Sequence, residues 1–313
     1  MSRRRTLIAI IALSVILATI VFYLNRFPSA RNQEEPTRLK IGFSPDWEYG
    51  SRKRLAHKLT NQAPVELEKV VRYFNEEFHP DLVVGGGDYV ESTGVKPEKA
   101  KAQLREVNDI FKRLEAPRVY ALGNHDMRSL SKEEVMEILE IDSPHSVTEL
   151  GDWRIVVFDT NFNKSDDTPR SREQYAEGYV SARELRWLEA AVSTDRPTIV
   201  FSHHSPTTAN NVDNTLARNI TNEEAVRSVF ERHQNVVAVV SGHTPRPQYR
   251  VINDVHYLIG DTLVNEEGLG AFAAISLEYF PRSHHATVRF EHFGRRPVVY
   301  EVAKSLIPER RSR

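Results

Sequence analysis

The chain has 313 residues, 40% of them hydrophobic and 27% charged, the balance of an ordinary globular protein. Its formal net charge is -1, so no bulk basic field directs it to nucleic acid, and no specific nucleic-acid partner is expected. It contains no cysteine, which excludes disulfides and thiolate metal sites and leaves His, Asn, Asp and Glu as possible metal ligands.

The N-terminus, MSRRR, precedes TLIAIIALSVILATIVFYL, residues 6–24, a run with no charged side chain. As a helix this run would be roughly 28 Å long at 1.5 Å per residue, close to the ~30 Å hydrocarbon core of a bilayer. A cleaved signal peptide has a shorter apolar region, about 7–15 residues, ending in a small-x-small site. Here the run ends in Phe22-Tyr23-Leu24-Asn25-Arg26. Residues 1–24 therefore predict a basic cytoplasmic N-terminus followed by one uncleaved transmembrane helix. Arg3, Arg4 and Arg5 favour the cytoplasmic side, which makes the chain a single-pass membrane protein with its main domain extracytoplasmic. Residues 25–37, with two prolines, read as a linker, 38–302 as one domain and 303–313 as a basic tail.

Within 38–302, short apolar runs predict strands at 39–43, 81–85, 118–122, 153–158, 198–201, 236–241, 256–260, 271–279 and 286–292. Amphipathic stretches predict helices at 64–78, 97–114, 131–140, 181–192 and 222–233. The last follows Thr221, with Glu224 three residues on, the spacing of a capping box. Strands alternating with helices imply an α/β protein in which helices cover a sheet.

Five of these strands finish in groups suited to metal binding or proton transfer. The first runs into Ser44-Pro45-Asp46-Trp47-Glu48 and the second into Gly85-Gly86-Gly87-Asp88. The third gives Gly123-Asn124-His125-Asp126, the fifth Ser202-His203-His204, and the sixth Ser241-Gly242-His243-Thr244-Pro245. Each cluster alone has an ordinary reading as a turn or as core and surface histidines. Five together point to one site outside the carboxyl ends of the strands, where open α/β sheets bind ligands.

In that order, D-x-E, GGD, GNHD, HH and GH resemble the calcineurin-like metallophosphoesterase superfamily, whose usual pattern is DxH, GD, GNH[DE], H and GHxH. The resemblance runs from about Lys40 to Leu263. It implies a four-layer α-β-β-α sandwich of two mixed sheets flanked by helices, and hydrolysis of phosphoester bonds at divalent metal ions. Two such ions clamp phosphoryl oxygens and acidify a water. By the resemblance Asp88 is the bridging carboxylate, and Asn124, His203 and His243 complete one metal position. His203 is preferred to His204 because it sits one residue beyond its strand. His125 would face the scissile phosphate as acid or cation, with Glu91 available to orient it, and Asp126 would hold the loop.

The other metal position departs from the pattern. Glu48 and Pro245 stand where the family has His, leaving Asp46, Glu48 and Asp88 as an oxygen-rich set for a second ion. One or two ions per chain are therefore expected, Mn first, with Fe, Zn or Mg compatible. DWEYG is also similar to a DIQYG-type variant among Mn-dependent nucleoside-diphosphate pyrophosphatase relatives. The substrate stays open among nucleotides, lipid or envelope phosphodiesters, and phosphomonoesters. The protein-phosphatase segment GDxxDRG is replaced here by GDYVES. A second reading is a catalytically impaired metal-binding scaffold or receptor that keeps the fold.

Overall fold

In the computed structural model, which describes residues 34–210, 216–266, 269–294 and 296–306, all nine predicted strands pair laterally into two six-stranded sheets. The strands are β1 (Thr37–Ser44), β2 (Leu82–Gly85), β3 (Arg118–Tyr120), β4 (Ser146–Leu150), β5 (Trp153–Val157), β6 (Thr198–Ser202), β7 (Thr208–Asn210), β8 (Leu216–Arg218), β9 (Val236–Ser241), β10 (Gln248–Ile252), β11 (Val255–Ile259), β12 (Phe272–Phe280), β13 (His285–Phe293) and β14 (Val298–Ser305). The helices are α1 (Ala63–Tyr73), α2 (Pro97–Phe111), α3 (Lys132–Leu139), α4 (Ala182–Val192) and α5 (Glu223–Arg232).

One sheet runs β14-β13-β12-β1-β2-β3 and the other β10-β11-β9-β6-β5-β4, with β7 and β8 forming a separate ribbon. Both sheets are mixed. β1, β2 and β3 are parallel while β12, β13 and β14 add antiparallel, and β5, β6, β9 and β11 are parallel while β4 and β10 add antiparallel. The parallel segments are what matter for the site, because they bring several strand ends to one edge.

Alternation along each strand sorts side chains into three cores. Leu39, Ile41 and Phe43 of β1 meet Ile155, Val157, Ile199 and Phe201 between the two sheets. Val83 and Phe272 face outward onto α1, α2 and α3. Val156, Val200 and Val239 face the opposite side, under Leu188 of α4 and Val226 and Phe230 of α5. The result is a sandwich of two mixed sheets with helices on its outer faces.

Local chemistry sets the helix ends. Proline occupies the first turn of α1 and of α2, where a missing N–H costs nothing. Ser131 and Glu134 form a capping box on α3, and Ser181 accepts the Glu184 N–H on α4. The capping box expected at Thr221 does not form. Asn222 is the N-cap of α5 and makes no side-chain cap, while the Thr221 hydroxyl donates to the Gly178 carbonyl at 3.3 Å. The helix predicted at 64–78 keeps its length but changes type, passing into one π turn at Phe74–Phe78 that His79 ends at φ 51°.

β4, β10 and β14 were not expected from the sequence, and all three are edge strands. Each leaves alternate residues partly or fully exposed, so none reads as an apolar run. β14 also extends through Ala303–Ser305 into the segment read as a tail, and the Lys304 ammonium is buried there against the carbonyls of Val236 and Asp254 at 2.9 and 2.6 Å. Residues 6–24, the expected membrane span, lie outside the described residues. Among the described residues no helix is long and apolar enough to cross a membrane.

His292 of β13 ties the first sheet to the loop after β11: its Nε2 accepts the Asp261 N–H at 3.2 Å. That bond requires a lone pair on Nε2, and burial pushes the ring's pKa down to about 4. The unfolded chain takes up a proton near pH 6.5, which the folded chain resists. The contribution is therefore present above pH 6.5 and is lost as the pH falls toward 4, amounting to about 3 kcal/mol. Urea unfolding of wild type and His292→Gln from pH 7 to pH 4 should show the steeper loss in wild type. Parallel curves would contradict it.

Candidate metal centre

The ends of β1, β2, β3, β6 and β9 meet at one mouth of the sandwich. Four residues predicted for the site sit there in the left-handed region: Asp46 (φ 51°), Glu48 (φ 47°), Asp88 (φ 53°) and His243 (φ 67°). Such conformations are uncommon for residues with a Cβ and persist where the surroundings hold them. Here the Asp46 N–H donates to Gly87 O at 2.9 Å and the Glu48 N–H to Asp88 O at 2.7 Å. Trp47 between them is fully buried, packs on Tyr89 and Phe111, and donates its indole N–H to Ser44 O at 3.0 Å. The glycine of GNHD has a steric reason: a Cβ on Gly123 would overlap the backbone N and Oδ1 of Asp88.

Four donor atoms converge on one point. His203 Nδ1 donates to the Gly86 carbonyl at 2.9 Å, which turns Nε2 toward the centre. Nε2 lies 3.1 Å from Asn124 Oδ1, 3.2 Å from Asp88 Oδ2 and 3.2 Å from His243 Nδ1. Asn124 is aimed by its amide, which donates to the Tyr175 carbonyl at 2.8 Å. The Tyr175 hydroxyl donates to Asn161 Oδ1 at 2.8 Å, and the Arg170 guanidinium lies over its ring at 4.0 Å. With the His203 ring neutral, four lone pairs face one another, an arrangement that a cation satisfies at once. Two oxygen and two imidazole donors suit Mn, Fe or Zn, so the residues present fit a divalent metal.

The charges agree. Burial opposes ionisation of Asp88, yet His203 and His125 hold its carboxyl well below the usual carboxylate range. Burial also opposes charge on His203, yet the Asp88 carboxylate pushes its pKa up to about 9. Burial and the His203 charge push His243 down to about 3. Asp46 lies in the same cluster, within metal-binding reach of Asp88 and His203, and both its oxygens accept the His243 backbone N–H at 2.9 and 3.1 Å. Its carboxyl is pushed well above the usual range by burial, in spite of His203, with the Asp88 and Glu48 charges adding to the shift.

His204 is separated from His203 by its partners. Nε2 donates to Ala176 O at 3.1 Å and Nδ1 pairs with the Thr160 hydroxyl at 2.7 Å, so both nitrogens are taken although the ring lies close to His203 and His243. Asp126 is a loop holder. Its carboxylate accepts the N–H groups of Asp88 and Gly123 at 3.0 Å, Tyr89 at 2.7 Å and Val90 at 3.1 Å.

A second cluster of Glu48, Glu91 and His125 adjoins the first. His125 Nδ1 lies 2.6 Å from Glu91 Oε2, the orienting pair expected for it, while Nε2 lies 3.9 Å from Asp88 Oδ2. Two cations that no motif announced complete the cluster. Lys58 Nζ contacts Glu48 Oε2 and lies 3.7 Å from Glu91 Oε2, and Arg128 Nη1 lies 3.4 Å from Glu91 Oε1. Lys58 closes the basic loop SRKRLAHK, where neighbouring cations hide it. Pro245 offers only its carbonyl, 3.5 Å from Asn265 Nδ2.

Asp126→Ala would leave four backbone N–H groups without their acceptor. A loss on the order of 4 kcal/mol is expected in denaturant unfolding. A loss below about 1 kcal/mol would show that the loop does not depend on this carboxylate.

A sequence model of the family described as calcineurin-like phosphoesterase matches residues 57–247. A manganese-dependent ADP-ribose/CDP-alcohol diphosphatase of Arabidopsis thaliana is 20% identical over an alignment covering 59% of this chain and 71% of that protein. A dimetal phosphatase from Danio rerio superposes with a TM-score of 0.68 at 16% identity, covering 87% of this chain and 100% of that one. GAP50, described as the anchor in the inner membrane complex of Plasmodium, superposes with a TM-score of 0.57 at 10% identity, covering 85% of this chain and 89% of that one. These two structural likenesses bear on the fold alone. The family match spans more than half the chain and carries Asp88, Asn124, His125, His203 and His243: the chain belongs to the calcineurin-like phosphoesterases, a family of metal-dependent phosphoric ester hydrolases.

Proposed function

We propose that the chain hydrolyses phosphoester bonds at a divalent-metal centre held by Asp88, Asn124, His203 and His243, with Asp46 beside it. The observation that carries this reading is the convergence of Asn124 Oδ1, Asp88 Oδ2 and His243 Nδ1 on His203 Nε2. A divalent ion there neutralises phosphoryl charge and acidifies water. His125 is the acid: Glu91 takes its Nδ1 side, which leaves Nε2 facing the centre to protonate the leaving oxygen. Asp126 keeps Asp88 and Gly123 in place through their N–H groups and does not touch the substrate.

Glu48 stands where the family pattern has a ligand of a second metal, and there it contacts Lys58. Manganese suits the two oxygen and two imidazole donors of the centre, and the Arabidopsis relative bears it in its name. A cavity of about 310 Å³ adjoins Glu91, with Arg52, Lys96 and Lys99 on its wall. Those cations favour a substrate with negative charge beyond the scissile phosphate, such as a nucleotide or an envelope phosphodiester.

The test is hydrolysis by the purified full-length chain, reconstituted with Mn, Mg, Zn or Fe, on an aryl phosphodiester and an aryl phosphomonoester. Turnover that requires metal is expected, with Asn124→Ala losing both metal and turnover. His125→Ala should keep its metal while kcat falls about 10²–10⁴-fold. Metal bound with no turnover on any phosphoester, nucleotides included, would return the chain to the scaffold reading.

The uncharged run at 6–24 and the arginines before it support an N-terminal membrane anchor with an extracytoplasmic catalytic domain. Full-length protein should then stay with membranes through alkaline carbonate washing, and an added protease should reach the domain from outside the cell. Release into the wash would contradict the anchor.

A further inference from the structure

Lys58 is placed as a built element, not as a surface side chain. Its backbone is pinned on both sides: Lys58 N–H donates to Leu55 O at 2.9 Å, Leu55 N–H to Lys58 O at 2.8 Å, and Leu59 N–H to Val264 O at 2.9 Å. It also bridges to Asn265. From that anchorage the ammonium enters the mouth, where its side chain is 13% exposed and those of Glu48 and Glu91 are 5% and 6%. Its contact with Glu48 Oε2 uses the carboxylate that stands where the family pattern has a metal-ligating histidine. The partner ligand on the other side of that position is absent, because Pro245 replaces it.

Charge points the same way. Asp46, Glu48, Asp88 and Glu91 are all buried around the mouth. Lys58 and Arg128 bring two positive charges in among them. A second divalent ion would lie against an ammonium already in contact with its carboxylate ligand, and like charges at such separations in a buried site repel strongly.

We infer that the Lys58 ammonium occupies the second cation position, so that the centre holds one divalent metal ion and one lysine cation instead of two metals. This rests on the metal centre proposed above. Lysine is suited to the exchange because it is a compact point charge, whereas Arg carries a wide planar fork. The first position keeps Asp88, Asn124, His203 and His243, and Glu48 serves the lysine.

Metal content and electron paramagnetic resonance of the full-length chain with manganese separate the cases without reference to activity. Wild type should bind one equivalent and give the signal of an isolated Mn(II). Lys58→Met, which keeps the stem and removes the charge, should bind two and give a spin-coupled pair. Lys58→Arg should stay at one, and thermal unfolding confirms that each variant is folded. Two equivalents in wild type would overturn the inference, as would one equivalent in folded Lys58→Met. No metal in wild type would overturn the metal centre itself, and this inference with it.

Discussion

Packing several carboxylates into one buried mouth is the constraint on which this site depends. An uncompensated buried carboxylate costs several kcal/mol, so each needs a cation or a set of donors. Asp126 is answered by four backbone N–H groups, Glu91 by His125, Thr93 and Arg128, and Glu48 by Lys58. Asp88 and Asp46 are answered differently from one another. Asp88 is held ionised by His203 and His125, while Asp46, with one backbone N–H shared between its oxygens, is pushed the other way by burial. Two neighbouring carboxylates forced apart in this manner mark a functional site.

The rigidity needed to hold such a cluster comes from the sandwich behind it. The inter-sheet core of Phe43, Val84, Phe201 and Val240 lies directly below the strand ends. Left-handed residues at 46, 48, 88 and 243 would relax if their loops could move, but the loops bond to each other across the mouth. Gly123 allows the β3 loop to pass against Asp88, and the Asp88 side chain in turn accepts the His125 N–H at 2.7 Å. Strain at the site is therefore balanced by hydrogen bonds within the site, on a base made by apolar packing.

The sequence was most legible where a feature repeats or buries. All nine predicted strands formed, and β2, β6, β9 and β11, buried at every position, are apolar along nearly their whole length. The edge strands β4, β10 and β14 escaped, since covering one face only leaves an alternation diluted by charge. Asp88, Asn124, His125, His203 and His243 could be placed because each sits one to five residues beyond a strand. Position after the strand favoured His203 over His204, and the contacts give the reason. Their difference lies in what each nitrogen touches: Gly86, Asn124 and Asp88 for one ring, Thr160 and Ala176 for the other. Lys58, Arg128 and Tyr175 had no signal, because tertiary contacts from loops bring them in.

Glu48 shows why a ligand cannot be read from position alone. The sequence offers a carboxylate where the family has an imidazole, and a carboxylate is a competent ligand. An imidazole at that place would present a neutral lone pair, which attracts an ammonium group less than a carboxylate does. A glutamate brings a full negative charge, which the fold must compensate whether or not a metal arrives, and Lys58 does so from a backbone pinned beside Asn265. The exchange of His for Glu at 48 and the loss of His at 245 are then connected. Removing two neutral ligands weakens a divalent ion, and adding one negative charge creates a place for a monovalent one. The pair of substitutions that looks like decay in the sequence becomes, with Lys58 in view, a consistent change in which cation neutralises that side of the mouth.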